Sequence, residues 1–278
     1  MSSKGSNVTQ VRQWQAHLNL QTEVRDSKTR LVALDHKGPL RVQRPFVQND
    51  GSCHIYLLHP PGGMVGGDTI AIDVGAGKGT HTLVTTPAAG KHYGCLPDMP
   101  QQMIQQHLRA ADDAYLEWVP QESIFFDRTN ASVVQNVELA PTSQYLGWEI
   151  LTFGRRASGE DFSNGAMSQS LSIRVAGKLI HREYLSFDPA LQRATWGLND
   201  HSVVGTLVAV FPERNHSEAM RRVPEVRSLL NDPNWGVTGK PRTLLVRFVG
   251  DSAEQCREGF FAARDLLSRS IRPRIWKT

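Results

Sequence analysis

Cysteine is scarce in this 278-residue chain, which contains only Cys53, Cys95 and Cys256. Three scattered cysteines cannot form the disulfide framework of a small secreted protein. No apolar run approaches the ~20 residues needed to cross a bilayer. The first nine residues are polar, where a secretory signal would be apolar. These absences predict a cytoplasmic protein with reduced thiols and no membrane partner.

Charge of one sign is not in large excess. Thirty-one Lys and Arg residues against 27 Asp and Glu give a net charge of +4. Nucleic-acid-binding domains typically carry a clustered basic face, and a surplus this small does not indicate one. The densest basic group is Arg221 and Arg222, with Arg214 and Arg227 nearby. We interpret this group as the solvated face of a short helix and expect no nucleic-acid partner.

Metal and catalytic signatures are also missing. The sequence has no C-x-x-C, H-E-x-x-H or G-x-S-x-G motif, and no two of its ten histidines are spaced i, i+4. Cys95 follows His92 closely, which allows a nucleophile beside a base or simply a half-buried thiol in a turn. The second interpretation is favoured. We therefore expect neither a tightly bound cofactor nor a preformed metal site.

Alternation of apolar and polar residues recurs along most of the chain. In one clear case Ile70, Ile72 and Val74 share a face. This pattern predicts a mainly β protein forming one domain over residues 1–278, with residues 1–10 disordered. A sandwich, a barrel and a β-helical stack remain possible arrangements. Predicted strands cover residues 69–74, 81–86, 115–119, 133–139, 146–151, 171–175, 179–187, 203–210 and 243–249.

Helical patterns are confined to the last quarter. Asp251 and Glu254 form a capping pair, apolar residues then recur at helical spacing, and Pro273 ends the pattern. A helix is predicted over about 252–270. A second helical region begins near Ser217, and Pro224 is expected to break it or to open a new helix that ends near Asn231.

The most distinctive segment is His59-Pro60-Pro61-Gly62-Gly63-Met64-Val65-Gly66-Gly67-Asp68. Two prolines and four glycines predict a shaped loop between strands, since proline fixes φ and glycine tolerates close backbone approach. Loops with such specific backbone requirements are often functional. The only anionic side chain of this loop is that of Asp68, which lies where regular structure is predicted to resume.

Nucleotide-binding motifs do not fit this loop. A dinucleotide fingerprint needs glycine where Pro61 stands and a helix after the loop, whereas a strand-like segment follows. A Walker A motif ending at Gly90-Lys91 would need glycine at 85 and Ser or Thr at 92, where the chain has Thr85 and His92. A hydrolase or nucleotide-binding enzyme using residues 59–68 is kept as the alternative hypothesis.

Aromatic residues of another segment, Trp118, Phe125 and Phe126, either fill the core or serve protein contacts. This segment is one of several short motifs that follow one another in a specific order. The motifs are Gly38-Pro39-Leu40-Arg41-Val42-Gln43-Arg44-Pro45-Phe46, residues 59–68, Thr85-Thr86-Pro87-Ala88-Ala89-Gly90-Lys91, Glu117-Trp118-Val119-Pro120-Gln121-Glu122, Gly154-Arg155 with Gly159-Glu160, and Pro273-Arg274-Ile275-Trp276. In order and spacing, from residue 14 to residue 276, the chain resembles the UreD (UreH) family of urease accessory proteins. It departs from the usual family pattern at residues 92–95.

The resemblance implies a stacked-strand, β-helix-like scaffold with two α-helices in the C-terminal part. It implies a chaperone rather than an enzyme, one that binds apo-urease together with UreF and, through UreF, UreG. It further implies transient nickel passage along an internal water-filled path lined by Asp68, Glu149 and Glu183. For Glu183, an ion pair with Arg182 or Arg174 is the competing explanation. The C-terminal helices are the first candidate for a surface that faces UreF.

Overall fold

The structure is a computed structural model that describes residues 13–215, 217–268 and 270–277. The predicted disorder of residues 1–10 lies outside these residues. The prediction of a mainly β protein is confirmed, and eighteen strands are described. In chain order they are β1 (Gln15–Arg25), β2 (Lys28–Lys37), β3 (Arg41–Val42), β4 (Phe46–Val47), β5 (Cys53–Leu58), β6 (Thr69–Ala76), β7 (His81–Thr85), β8 (Gly90–His92), β9 (Gln102–Ala110), β10 (Tyr115–Trp118), β11 (Ser123–Phe125), β12 (Asn130–Leu139), β13 (Gln144–Phe153), β14 (Ala166–Val175), β15 (Lys178–Phe187), β16 (Val203–Val210), β17 (Trp235–Lys240) and β18 (Thr243–Gly250).

The strands form two sheets. The first has seven strands in the order β15-β14-β12-β9-β6-β1-β2. The second follows the path β17-β18-β16-β13-β10-β7-β5-β3, with β4, β8 and β11 attached beside it. Between β5 and β14 the main strands alternate between the sheets, and neighbours within each sheet run parallel. Each stretch of chain therefore adds a strand to one sheet and then to the other.

The apolar face of each sheet points into the space between them. Ile70, Ile72 and Val74 of β6 are buried there, as the alternation predicts. They belong to the same apolar cluster as Ile55 of β5 and Leu116 of β10 in the second sheet. Burial of apolar side chains from both sheets provides the main force that holds them together.

Three α-helices are described: α1 (Pro189–Arg193), α2 (Glu218–Leu229) and α3 (Ala253–Ser268). Helix α3 matches the predicted helix over 252–270. The short α1 was not predicted and lies before the last quarter. It begins at Pro189, with the Asp188 carboxylate accepting from the Leu191 amide at 2.7 Å.

The expectation for Pro224 was wrong, because α2 continues through it. Proline removes the hydrogen bond that its amide would donate to the carbonyl four residues earlier, at Met220. Both Pro224 and Met220 are exposed, so water can hydrate the free carbonyl. On the same helix surface, Arg221 and Arg222 both pair with Glu218.

Helices α2 and α3 cover the outer face of the second sheet. Trp148 of β13 packs there against Phe260 and Phe261 of α3, with ring centroids 5.8 and 5.6 Å apart. Trp276 closes the same cluster, stacked on Phe261 at 4.3 Å. Because neighbouring residues of a strand point to opposite faces, Glu149 is directed away from this cluster and into the space between the sheets.

Candidate functional site

Three of the distinctive sequence segments meet at one cavity of about 570 Å³. Its lining is drawn from residues 59–64, 86–92 and 118–123. The deeper wall includes Ile72 and Gln106 of the first sheet and Glu149 of the second. Segments far apart in sequence thus build a single concave site that reaches the space between the sheets, as ligand sites typically do.

The glycines of residues 59–68 let the loop lie directly against β8. The Met64 amide donates to the Lys91 carbonyl at 2.8 Å, and the Tyr93 amide donates to the Met64 carbonyl at 2.9 Å. A Cβ atom at Gly63 would collide with the Tyr93 ring and lie 3.0 Å from the Lys91 carbonyl oxygen. Gly63 therefore permits a close approach that a larger residue would prevent.

Asp68 holds the end of this loop. Its Oδ1 accepts from the Trp14 amide at 2.9 Å, and its Oδ2 accepts from the Val65 amide at 3.0 Å. The side chain is buried but is not among the groups that line the cavity. Asp68 thus shapes the loop beside the cavity, and its place on a metal path stays a prediction.

His92 lies in the cavity wall but does not contact Cys95. Gln102 separates the two: its Oε1 is 3.0 Å from His92 Nδ1, and its Nε2 lies 3.3 Å from Cys95 Sγ. The two residues therefore do not form a nucleophile–base pair, and Cys95 is half-buried, as the favoured interpretation predicts. Burial lowers the pKa of His92 to about 4, so its imidazole is neutral at physiological pH.

Glu149 is a partly buried carboxylate whose side-chain partners are neutral. Trp118 Nε1 donates to its Oε1 at 3.0 Å, and Gln135 Nε2 lies 3.3 Å from the same oxygen. No described Lys, Arg or His forms an ion pair with it. Burial outweighs these two hydrogen bonds and raises the pKa of Glu149 to about 7. The group can therefore gain or lose a proton near neutral pH.

A second, much smaller cavity of about 20 Å³ lies beyond Glu149. Glu149 lines both cavities, and Glu183 lines the smaller one together with Gln169 and Thr206. A space of this size holds about one water molecule. Two of the three predicted carboxylates, Glu149 and Glu183, therefore border the same interior space, whereas Asp68 does not.

Glu183 pairs with Arg247, not with Arg182 or Arg174 as the competing interpretation had it. Both guanidinium nitrogens of Arg247 donate to the carboxylate, at 2.6 and 2.7 Å. The partner lies on β18 of the opposite sheet, so sequence proximity could not identify it. Burial alone would raise the pKa of Glu183, but His181 and Arg247 hold it at about 2.

Sequence reasoning missed a row of buried amides on the first sheet, next to Glu149. Gln135 Nε2 donates to Gln106 Oε1 at 2.6 Å, and Gln169 lies on the next strand of the same sheet. Gln135 is in phase with Val133 and Val137, which point inward. A polar residue at an apolar position of a strand was the signal that could have found it.

The described residues contain no group of three or more His, Cys, Asp or Glu side chains placed to hold a metal ion. None of the helices in the described ranges combines the length and apolar character needed to span a membrane. Of the aromatic residues left open above, Trp118 and Phe125 are buried, while Phe126 is partly exposed beneath Arg155. The interpretation that these aromatic residues fill the core therefore holds for Trp118 and Phe125.

The fold and the site together are those of a two-sheet β protein with a loop-built cavity suited to binding. Comparison with known proteins identifies the family. A family profile described as "UreD urease accessory protein" matches residues 15–277. The chain belongs to the UreD family of urease accessory proteins.

Full-length relatives support this assignment. The chain is 37% identical over 281 residues to the urease accessory protein UreD of Saccharophagus degradans, covering 96% of this chain and 94% of the relative. It is 37% identical over 292 residues to UreD of Pseudoalteromonas translucida, covering 100% and 95%. For UreD of Marinobacter nauticus the identity is 37% over 294 residues, covering 99% and 97%.

Proteins of this family are non-catalytic chaperones involved in urease maturation, and urease is a nickel metalloenzyme. The alternative hypothesis of a hydrolase or nucleotide-binding enzyme using residues 59–68 is therefore wrong. The loop shapes a cavity wall instead.

Proposed function

We propose that this chaperone passes nickel toward the urease active site through its own interior, from the large cavity past Glu149 and on to Glu183. Nickel is cargo here, held transiently. The observation that carries the proposal is Glu149, a partly buried carboxylate that borders both cavities and has no cationic partner among the described residues. A carboxylate shielded from water and without a cationic partner is costly to fold, and a bound cation offsets that cost.

The residues along the proposed route suit a divalent ion in transit. Carboxylate and amide oxygens of Glu149, Gln106 and Gln135 can replace water ligands without the tight grip of thiolates. Binding on a path must be favourable enough to admit the ion and weak enough to release it. A single partly buried carboxylate meets both conditions better than a closed metal centre.

The narrow point of the route lies between Glu149 and Glu183. A space of about 20 Å³ cannot hold a nickel ion with its full water shell. Passage there requires the ion to shed water in favour of side-chain oxygens, or the side chains to move. Because Arg247 neutralises Glu183, opening of that ion pair is the step that makes the second carboxylate available.

The finer description of the fold belongs to the same proposal. We infer that the alternating placement of the parallel strands forms a β-helix-like stack, with the route running inside it. Support comes from the direction of the interior polar side chains, which lie on strands of both sheets.

The partners we propose are apo-urease and UreF, with UreG recruited through UreF, in the cytoplasm. The C-terminal helices and their flanking strands are proposed to face UreF. Helix α2 supports this choice, since it exposes Met220, Leu229 and the Glu218–Arg221 pair. Exchange of Met220 and Leu229 for serine should reduce co-purification of UreF while leaving the purified chain folded.

The experiment that tests nickel passage uses Glu149→Gln, which removes the charge and keeps the shape. Cells expressing the urease operon are grown with the wild-type chain or the variant, and nickel per purified urease is counted. We expect a several-fold loss of nickel although the accessory complex still assembles in pull-downs. The matched control is Glu138→Gln, at an exposed position on β12. Full nickel content with Glu149→Gln would overturn the proposal.

A further inference from the structure

His92 is held in a single orientation by its neighbours. Its ring stacks on Phe125 with centroids 4.4 Å apart and planes inclined by 14°. Its Nδ1 is 3.0 Å from Gln102 Oε1. The Gln102 amide is itself oriented, because its Nε2 donates to the Tyr93 carbonyl at 2.7 Å. Oε1 is therefore the acceptor, and His92 Nδ1 must carry the proton.

This arrangement leaves a lone pair on the other ring nitrogen. A neutral imidazole protonated at Nδ1 has an unprotonated Nε2. Nε2 makes no hydrogen bond to a described residue, although His92 lines the large cavity. Metal-ligating histidines are held in this way, with one nitrogen donating to an oxygen acceptor so that the other is free for the metal.

A second histidine shares the cavity. His59 lines the same cavity as His92. The two backbone hydrogen bonds between Met64 and the strand around His92 fix the His59 loop beside β8.

We propose that His59 and His92 form a two-imidazole nickel-binding position in the large cavity, a relay point separate from Glu149. Imidazole suits Ni²⁺, and two imidazoles with water in the remaining positions would hold the ion without trapping it. The inference rests on the proposed passage of nickel. It extends that proposal by naming two nitrogen ligands and the place where they would bind the ion. Gln102 is then a positioning residue that acts through His92.

The test measures nickel binding to the purified full-length chain by titration with NiCl₂, with X-ray absorption at the nickel edge to detect imidazole ligands. His59→Asn and His92→Phe each remove one ligand, and phenylalanine keeps the stacking on Phe125. We expect each variant to bind nickel at least about tenfold more weakly, with loss of imidazole scattering. Gln102→Leu should weaken binding by about 10- to 100-fold without removing a ligand.

Two controls separate this proposal from the one on which it rests. His36→Asn changes an exposed histidine that does not line the cavity and should bind nickel as the wild type does. Glu149→Gln should retain imidazole scattering even where it blocks nickel delivery to urease. Because His59 is only partly buried, His59→Asn decides the outcome if His92→Phe does not fold.

The proposal is overturned if the wild type binds no nickel, if bound nickel shows no imidazole ligand, or if His59→Asn binds as tightly as the wild type. Any of these results would leave the Glu149 route standing. Conversely, imidazole-bound nickel together with full urease loading by Glu149→Gln would retain the relay and reject the route.

Discussion

The guanidinium of Arg264 on α3 contacts the carboxylate of Glu117 on β10, with Nε and Oε2 2.6 Å apart and neither side chain exposed. His81 and Ser270 also contact the carboxylate, at 2.7 and 2.9 Å. A second ion pair, Arg257–Glu122 at 3.2 Å, ties the same helix to the other end of the Trp118 segment. The segment that forms part of the cavity wall is thus fixed from behind by α3.

Removal of Arg264 should destabilise the protein strongly. Arg264→Met leaves Glu117 buried and without its main cationic partner, which typically costs about 3–5 kcal/mol. The free energy of unfolding in urea measures the loss. Arg221→Met, at an exposed pair on α2, is the control and should change stability far less than Arg264→Met does. Equal effects of the two variants would show that the buried pair has no special role.

The same pair predicts an acid-sensitive contribution to stability. Burial would raise the pKa of Glu117, but Arg264 and His81 lower it to about 2, against an ordinary value of 4.5. A carboxylate with a lowered pKa stabilises the fold above about pH 4.5 and loses that contribution as the pH falls toward about 2. The stability gap between wild type and Glu117→Gln should therefore narrow from pH 6 to pH 3.5 in urea unfolding. A gap that stays constant over this range contradicts the assignment.

Glu149 should make the stability of the fold depend on pH in the opposite direction. Its pKa is raised to about 7, so the folded state holds the proton more tightly than the unfolded chain does. Burial of the charge then destabilises the fold as the pH rises from about 4.5 through about 7. Glu149→Gln should match the wild type near pH 4.5 and exceed it by about 2–3 kcal/mol at pH 8. Urea unfolding at the two pH values checks this, and a difference independent of pH would refute it.

Gly63→Ala should disturb the cavity wall through the backbone. The added methyl group would collide with the Tyr93 ring, which forces the loop away from β8 at a cost of about 1–3 kcal/mol. We expect lower urease activation and a lower melting temperature. Gly236→Ala is a suitable control, because open space surrounds that position on β17. Normal activation by Gly63→Ala would mean that the close contact is dispensable.

Much of the fold could be predicted because its strands carry regular alternation. Residues 69–74, 203–210 and 243–249 lie within β6, β16 and β18, and α3 begins and ends within two residues of its prediction. Among the longer strands, β1, β2 and β9 were missed. Most of β2 is exposed, so it has no apolar face to give an alternating pattern, and its place depends on pairing with β1.

The candidate site was predictable only in part. Local pattern pointed to the loop at 59–68, and the family resemblance pointed to the carboxylates of Glu149 and Glu183. Contacts between the two sheets could not be predicted from the local pattern. Glu183 and Arg247 are 64 residues apart, and Gln102 orients His92 from a separate strand. Such pairings arise from how strands stack, which alternation within one strand does not encode.

The most direct test of the central claim is nickel transfer in the presence of an external chelator. Purified accessory complex loaded with radioactive nickel is mixed with apo-urease and excess chelator, and nickel bound to urease is counted over time. An interior route shields the ion, so the wild type should load urease despite the chelator, and Glu149→Gln should not. If the chelator abolishes transfer by the wild type, nickel travels through solvent and the proposed interior route is wrong.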